Sequence, residues 1–448
     1  VDGHIPKGEL ALFAFDPAAV STERARAIRR HTASCAECQA DLDFVSVREE
    51  DLDDGDVWEP VAGSATYDAL MAFGARIAEE DRQAEELLAP LLANPANAAW
   101  TNIALQKRYL TGGVVRKLSA HAHSIFDSEP LDALTFADAA IVVAEALPED
   151  TYPGLAIYEV RGTAWEERAN ALRLLGEFPE ALESLKRAER AYKKLADDGV
   201  PLATVDFVRA AVLYEQQRLE EAAQLAEAAE RGFAHAGEED RRMKAVLLRG
   251  NIHYESHNIS AAMLLFKQVL EHGENRNDAE WIARASYLLG HCLIEQQNLG
   301  EASLHFHKAL VLFREVGPST ERVRTEWGIA CVFLHAGKHS EAIRRLKDVT
   351  AEFERRSMAT DAGLSGLDTA EAYLVTGNMR QIVPLAQHLF TIFHNAGMLT
   401  GALTAIAYIK EAAAAGTLTT EDLQAVRVFL RRVERQPELV FAPPPKPR

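Results

Sequence analysis

Small residues return down the C-terminal two thirds of this 448-residue chain on an almost fixed beat. Ala181, Ala222, Ala262, Ala302 and Ala342, with Ile382 in the next slot, are spaced by 41 residues once and by 40 thereafter. Twelve residues before each stands a second small residue: Ala169, Ala210, Gly250, Gly290, Ala330 and Ala370. Two points per unit where backbones can approach closely, separated by a polar turn such as EQQNLGEA at 295–302 or HAGKHSEA at 335–342, describe a helix, a breaker and a second helix.

Within a unit the apolar residues keep helical spacing, as in Trp165, Ala169 and Leu172 followed by Ala181, Leu185 and Ala188. One pair cannot bury both of its amphipathic faces, so neighbouring pairs must stack into a solenoid. The stretch resembles the tetratricopeptide repeat family, whose small residues fall at the eighth and twentieth positions of each unit. The resemblance runs over roughly residues 114–397, with a weaker copy at 114–147 and a polar-faced cap after about 400. The family period is ~34 residues, so these units require longer helices or longer connections. Pro384 falls inside the second helix of the last unit, where it should kink or shorten that helix. The expected fold class is all-α: a small zinc-bound helical module followed by a right-handed tetratricopeptide-like α-solenoid.

Hydrophobic residues make up 48% and charged residues 26% of the chain, the balance of a folded, soluble protein. No run approaches the ~20 apolar residues of a membrane span, and no basic-then-apolar signal opens the sequence, so neither a membrane nor export is expected and the location read is cytoplasmic. The four cysteines, two of them three positions apart, do not form a secreted disulfide framework. Cys292 and Cys331 sit beside small-residue positions and read as buried, small hydrophobic groups. A net charge of −19 argues against direct binding to nucleic acid and favours a protein partner with basic surface.

The sharpest chemical pattern lies in the first fifty residues. His31, Cys35 and Cys38 form H-x3-C-x2-C, and His4 stands upstream before the apolar segment GELALFAF. Four soft nitrogen and sulfur donors suit tetrahedral zinc. His31 ends one helix, Ser34 can cap the next, and both cysteines lie near that helix's N-terminus, where positive partial charge favours thiolates. So few large side chains make a poor core, and metal binding would supply much of the folding free energy. This stretch resembles the zinc-binding anti-sigma factor domain, a helical module with the same ligand order. In members that sense oxidation the upstream ligand is a cysteine; here it is His4, which removes that trigger.

An acidic linker, 51–66, leads to an amphipathic stretch from about Tyr67 to Leu92 whose stripe includes Leu70, Phe73, Ile77, Ala84, Leu87 and Leu91. The resemblance implies that such a helix wraps a sigma factor through Leu70, Phe73 and Ile77. The alternative is a helix that packs on the first repeat. Carrying over the repeat family's groove positions gives Asn170, Lys244, Asn251, Arg284, Tyr287, His291, Arg324 and Trp327, a set of basic, amide and aromatic side chains suited to an acidic extended or helical peptide. The alternative for each is inter-repeat packing or a solvated edge. No phosphate-cradling glycine motif, GxSxG elbow or HExxH run occurs, and no enzymatic activity is expected.

The expected organisation is a zinc module at 1–50, the linker at 51–66, a helical connector at 67–113, repeats at 114–400, and a C-terminal helical cap with a Pro-rich tail at 401–448. Two functions fit it. One is a transcription regulator of anti-sigma type; the other is an interaction scaffold whose zinc module serves only to fold the N-terminus.

Overall fold

A computed structural model describes residues 4–5, 10, 13, 20, 22–35, 38–39, 42, 65–93, 100–148, 152, 154–195, 199–315, 319–398, 400–433 and 439–444. It divides into two compact units, Val1–Glu79 and Glu80–Arg448. Every regular element among the described residues is helical, in keeping with the all-α class. The linker expected at 51–66 lies outside the described residues up to position 64, and its last two residues already belong to a helix.

In the first unit, α1 spans Thr22–Thr32, and Leu10, Phe13, Cys38 and Leu42 are also helical positions. Ile5, Leu10, Phe13, Ile28 and Cys38 form its small core. Helix α2, Ala65–Leu92, follows the amphipathic stretch read from the sequence.

The second unit opens with the C-terminal half of α2. Ala84 and Leu88 are buried against Trp100, Val114, Val115 and Phe136, so this half packs on the first helix pair. That pair is α3 (Gly112–Ile125) and α4 (Pro130–Ala146). Tyr152 locks the junction, donating its hydroxyl to the Glu80 carboxylate at 3.0 Å and accepting the Gly112 N–H at 2.9 Å.

The array continues as α5 (Gly154–Leu174) and α6 (Phe178–Tyr192), α7 (Gly199–Glu215) and α8 (Leu219–His235), α9 (Glu239–Glu255) and α10 (Ile259–Arg276). Then come α11 (Ala279–Glu295) and α12 (Leu299–Glu315), α13 (Ser319–His335) and α14 (His339–Arg355), α15 (Ala359–Val375) and α16 (Ile382–Asn395). Helices α17 (Thr400–Ala414) and α18 (Thr420–Val433) close it. Pro384 acts as expected: α16 has 14 residues where α15 has 17, and it starts only after a 3-10 turn at Met379–Gln381.

The long period comes from long helices. Most are 17 residues, joined by connectors of about three residues centred on a left-handed residue. Within units these are Gly176, Gln217, His257, Gln297, Gly337 and Gly377; between units they are Gly237, Asn277, Ser357 and Gly397. Each turn closes the same way, as where Arg218 N–H reaches Leu213 O at 2.9 Å and Asn298 N–H reaches Leu293 O at 2.9 Å.

The small residues do what their spacing implied, and their size is matched to the residue they face. Leu185 packs with Ala169, Ala226 with Ala210, Leu346 with Ala330 and Ala386 with Ala370. Where the facing residue is Phe266 or Phe306, the small residue is Gly250 or Gly290, because a β-carbon there would overlap the ring. Cys292 is fully buried, as expected, and burial pushes its thiol up to about 12.

Candidate metal centre and inner groove

The chain turn after α1 folds H-x3-C-x2-C into a compact set. Cys35 N–H bonds His31 O at 2.9 Å, and Gln39 N–H bonds Cys35 O at 3.0 Å, so α1 closes just past His31, at Thr32, and a further helical turn begins around Cys35. Ser34, expected to cap the second helix, donates its hydroxyl back to His31 O at 3.0 Å and so closes the first. His4 comes in from the N-terminal segment with Nδ1 at 3.5 Å from both the Cys35 and Cys38 sulfurs. One ligand atom from each of His4, His31, Cys35 and Cys38 lies within 4.8 Å of the others, the spread expected of donors arranged around a single tetrahedral ion. Cys38 Sγ also accepts the Ile5 N–H at 3.3 Å, a bond that suits a metal-bound thiolate. His31 Nε2 is buried with no hydrogen-bond partner among the described residues, which a metal would correct. The donor set and geometry fit zinc.

On α2, Phe73 and Ile77 are half-buried. The side chain of Leu70 lies outside the described residues.

In the second unit, the first helices of successive pairs touch one another along an inner face, and the residues read as groove positions lie on these first helices. At its N-terminal end, His123 of α3 meets Glu167 of α5 at 3.0 Å, and Asn170 donates to Glu167 at 3.4 Å. Tyr192 donates to Glu166 at 2.8 Å. Burial, and then the charge of Glu167, push Glu166 up to about 7. The hydrogen bond to Glu167 raises His123, and the charge of Lys244 on α9 opposes that shift. Asn251 is half-buried on the same helix, and Arg284 is exposed and paired to Glu280 of its own helix at 2.9 Å.

At the other end, Tyr287 and His291 stack edge-on with centroids 4.7 Å apart, and both lean on Phe306. Burial, with help from the positive charge of Arg431, lowers His291 to about 4, and its Nε2 has no hydrogen-bond partner among the described residues. Arg324 is held by Asp361, with Nη2 to Oδ2 at 3.2 Å, and Trp327 Nε1 donates to Asp368 at 2.6 Å. The inner face was expected to offer bases and aromatics to an acidic peptide. Near this end Arg324 and Trp327 are already matched by the chain's own carboxylates, Asp361 and Asp368. Spacing alone could not identify these partners, because Asp361 and Asp368 come from the next repeat.

The tetratricopeptide repeat family matches residues 281–354, from α11 to α14. No curated protein matches the chain. Among solved structures, the chain is similar to aspartyl phosphate phosphatase F from Bacillus subtilis, at 14% identity and a TM-score of 0.50 over 88% of this chain and 96% of that one. It is also similar to a Rap protein complexed with competence and sporulation factor, at 16% identity and a TM-score of 0.44 over 71% and 99%. A third is the apo form of the quorum sensor NprR from B. thuringiensis, at 10% identity and a TM-score of 0.47 over 77% and 96%. Among the described residues, no helix is long and apolar enough to cross a membrane. By fold, the second unit is a tetratricopeptide-like α-solenoid, an architecture of the protein–protein interaction class.

Proposed function

We propose that this protein is a cytoplasmic, non-enzymatic regulator of anti-sigma type. Its first unit holds zinc and engages a sigma factor, and its solenoid receives a second protein or peptide. The observation that carries the reading is the convergence of His4, His31, Cys35 and Cys38, four donors from three segments of a fold too small to assemble them without purpose. Bound there, zinc would crosslink those segments and supply folding energy rather than catalysis, since a set of four protein donors leaves no open position. The net charge of −19 suits a partner with a basic DNA-binding surface.

The test is co-purification of the full chain with the sigma factor encoded beside it, and transcription from that factor's promoters. Capture and repression are expected. Polar replacement of Leu70, Phe73 and Ile77 together should abolish both while zinc stays bound. A zinc-loaded chain that captures no sigma factor sinks the anti-sigma reading.

A second reading, an interaction scaffold with a purely structural zinc module, is favoured by one observation. Ala84 and Leu88 of α2 are buried against the first helix pair, as in a connector that packs rather than wraps.

A further inference from the structure

Each second helix of the array packs on the first helix of its own unit and on that of the next. Helix α18 breaks this rule. It packs on α17 and on α15, the first helix of the unit before, so it lies along the inner face rather than continuing the outer row. Leu423, Val426, Leu430 and Val433 form its buried stripe, and Leu430 Cδ1 stands 3.5 Å from where a β-carbon on Gly363 would be.

Beside that stripe runs a basic one. Arg427 Nη2 meets Asp368 Oδ1 at 2.7 Å and Glu371 Oε2 at 2.8 Å, with only 16% of its side chain exposed. One turn later, Arg431 is close enough for its charge to disfavour protonation of His291 on α11, and the same charge acts on Tyr254 of α9. A single amphipathic helix therefore sets Arg427 on the carboxylates of α15, with the charge of Arg431 felt further along the inner face. Its anchoring carboxylate, Asp368, is the group that also orders Trp327 at 2.6 Å and Cys331 at 3.5 Å.

We infer that α18 is a built-in occupant of the inner groove, seated where an amphipathic partner helix bearing an arginine or lysine in the place of Arg427 docks, and that such a partner binds by displacing it. This rests on the reading of the inner face as a partner groove. It identifies the partner as basic, because Asp368 and Glu371 demand a buried cation and would be left unpaired under an acidic peptide. A helix held in place within the same chain competes at a high effective concentration, so only a partner of matching chemistry gains entry.

The probe is a fluorescent peptide with the sequence of residues 417–436, added to the full-length chain, with amide hydrogen exchange followed in α18. In the native chain α18 should be protected and the peptide excluded. In R427Q, exchange across α18 should rise on the order of tenfold to a hundredfold while α5–α8 stay unchanged, since one partner of a half-buried ion pair has been removed. The R427Q chain should then capture the peptide. A peptide carrying glutamate at the position of Arg427 should not be captured, nor should the native peptide by R427Q combined with D368N and E371Q. The charge-reversed peptide keeps the test sound if the triple variant fails to fold. Unchanged α18 exchange in R427Q, or capture of both peptides alike, overturns the inference. Because the peptide comes from the chain itself, failure to find an outside partner counts against partner binding and leaves this result standing.

Discussion

A β-carbon on Gly290 would stand 2.8 Å from Phe306 Cε1, and one on Gly328, on the next first helix, would stand 2.5 Å from the same atom. The phenylalanine is fully buried between two glycines from adjacent units, so its size is accommodated by what both neighbours lack.

Gly290→Ala should therefore destabilise the array by about 1–3 kcal/mol, the cost of overpacking, although alanine is the better helix former. Adding Phe306→Leu should recover most of the loss, because Ala330 with Leu346 shows that an alanine and leucine pair fits the same geometry. Urea denaturation of the single and double variants checks it. Equal losses in both would mean that the ring is not the obstacle.

The left-handed connectors give a second set of outcomes. His257 and Gln297 hold φ of 57° and 59°, where side chains other than glycine are disfavoured. His257→Gly and Gln297→Gly should each stabilise the chain by about 1 kcal/mol. Gly337→Ala, at φ 72°, should cost a similar amount. Shifts in the thermal midpoint of opposite sign are the readout.

The two ends of the inner face should answer pH in opposite senses. Glu166 and His123 both have folded values above their ordinary ones, Glu166 by burial and His123 by its bond to Glu167. The folded state therefore holds their protons longer than the unfolded state, and stability falls as pH rises from about 4.5 through neutrality. His291, lowered to about 4, is the reverse: the stability of its neutral form is present above 6.5 and is lost as pH falls toward 4. Denaturant midpoints from pH 5 to 8 should show Glu166→Gln flattening the loss between pH 5 and about 7, by an amount on the order of 1–2 kcal/mol. His291→Phe should flatten the loss on the acid side. A variant with the pH profile of the native chain counts against the group it replaces.

Zinc analysis of the purified chain should give about one ion per molecule, as the single four-donor cluster among the described residues suggests. Cys35→Ser with Cys38→Ser should abolish it. Chelation should raise amide exchange around α1 and leave α5–α16 protected, since repeats are held by contacts with their neighbours. Array melting that follows the metal content would contradict this.

The solenoid was legible because Ala169, Ala181 and their counterparts must be small wherever two helices approach, and that steric demand repeats with the unit. The donor set was legible because His31, Cys35 and Cys38 are close in sequence and no other soft donors lie near. The left-handed turns were not: Gln217, His257 and Ser357 occupy positions where glycine would have announced itself. The seating of α18 was hidden for a different reason. Its stripe of Leu423, Val426 and Leu430 specifies burial but not against which neighbour, and both an outer cap and an inner lining satisfy it.

The near-uniform connectors make the array a ruler with a 20-residue mark. Removing or duplicating 40 residues within it, from Gln217 to His257 for instance, would rejoin the chain at an equivalent turn and preserve which helices face inward. A 20-residue change would rejoin just as smoothly at Gly237, yet exchange the inner and outer rows from that point onward. Such a chain can lengthen its inner face by recombination only in whole pairs. Within a fixed length, it can alter the chemistry of that face only by substitution.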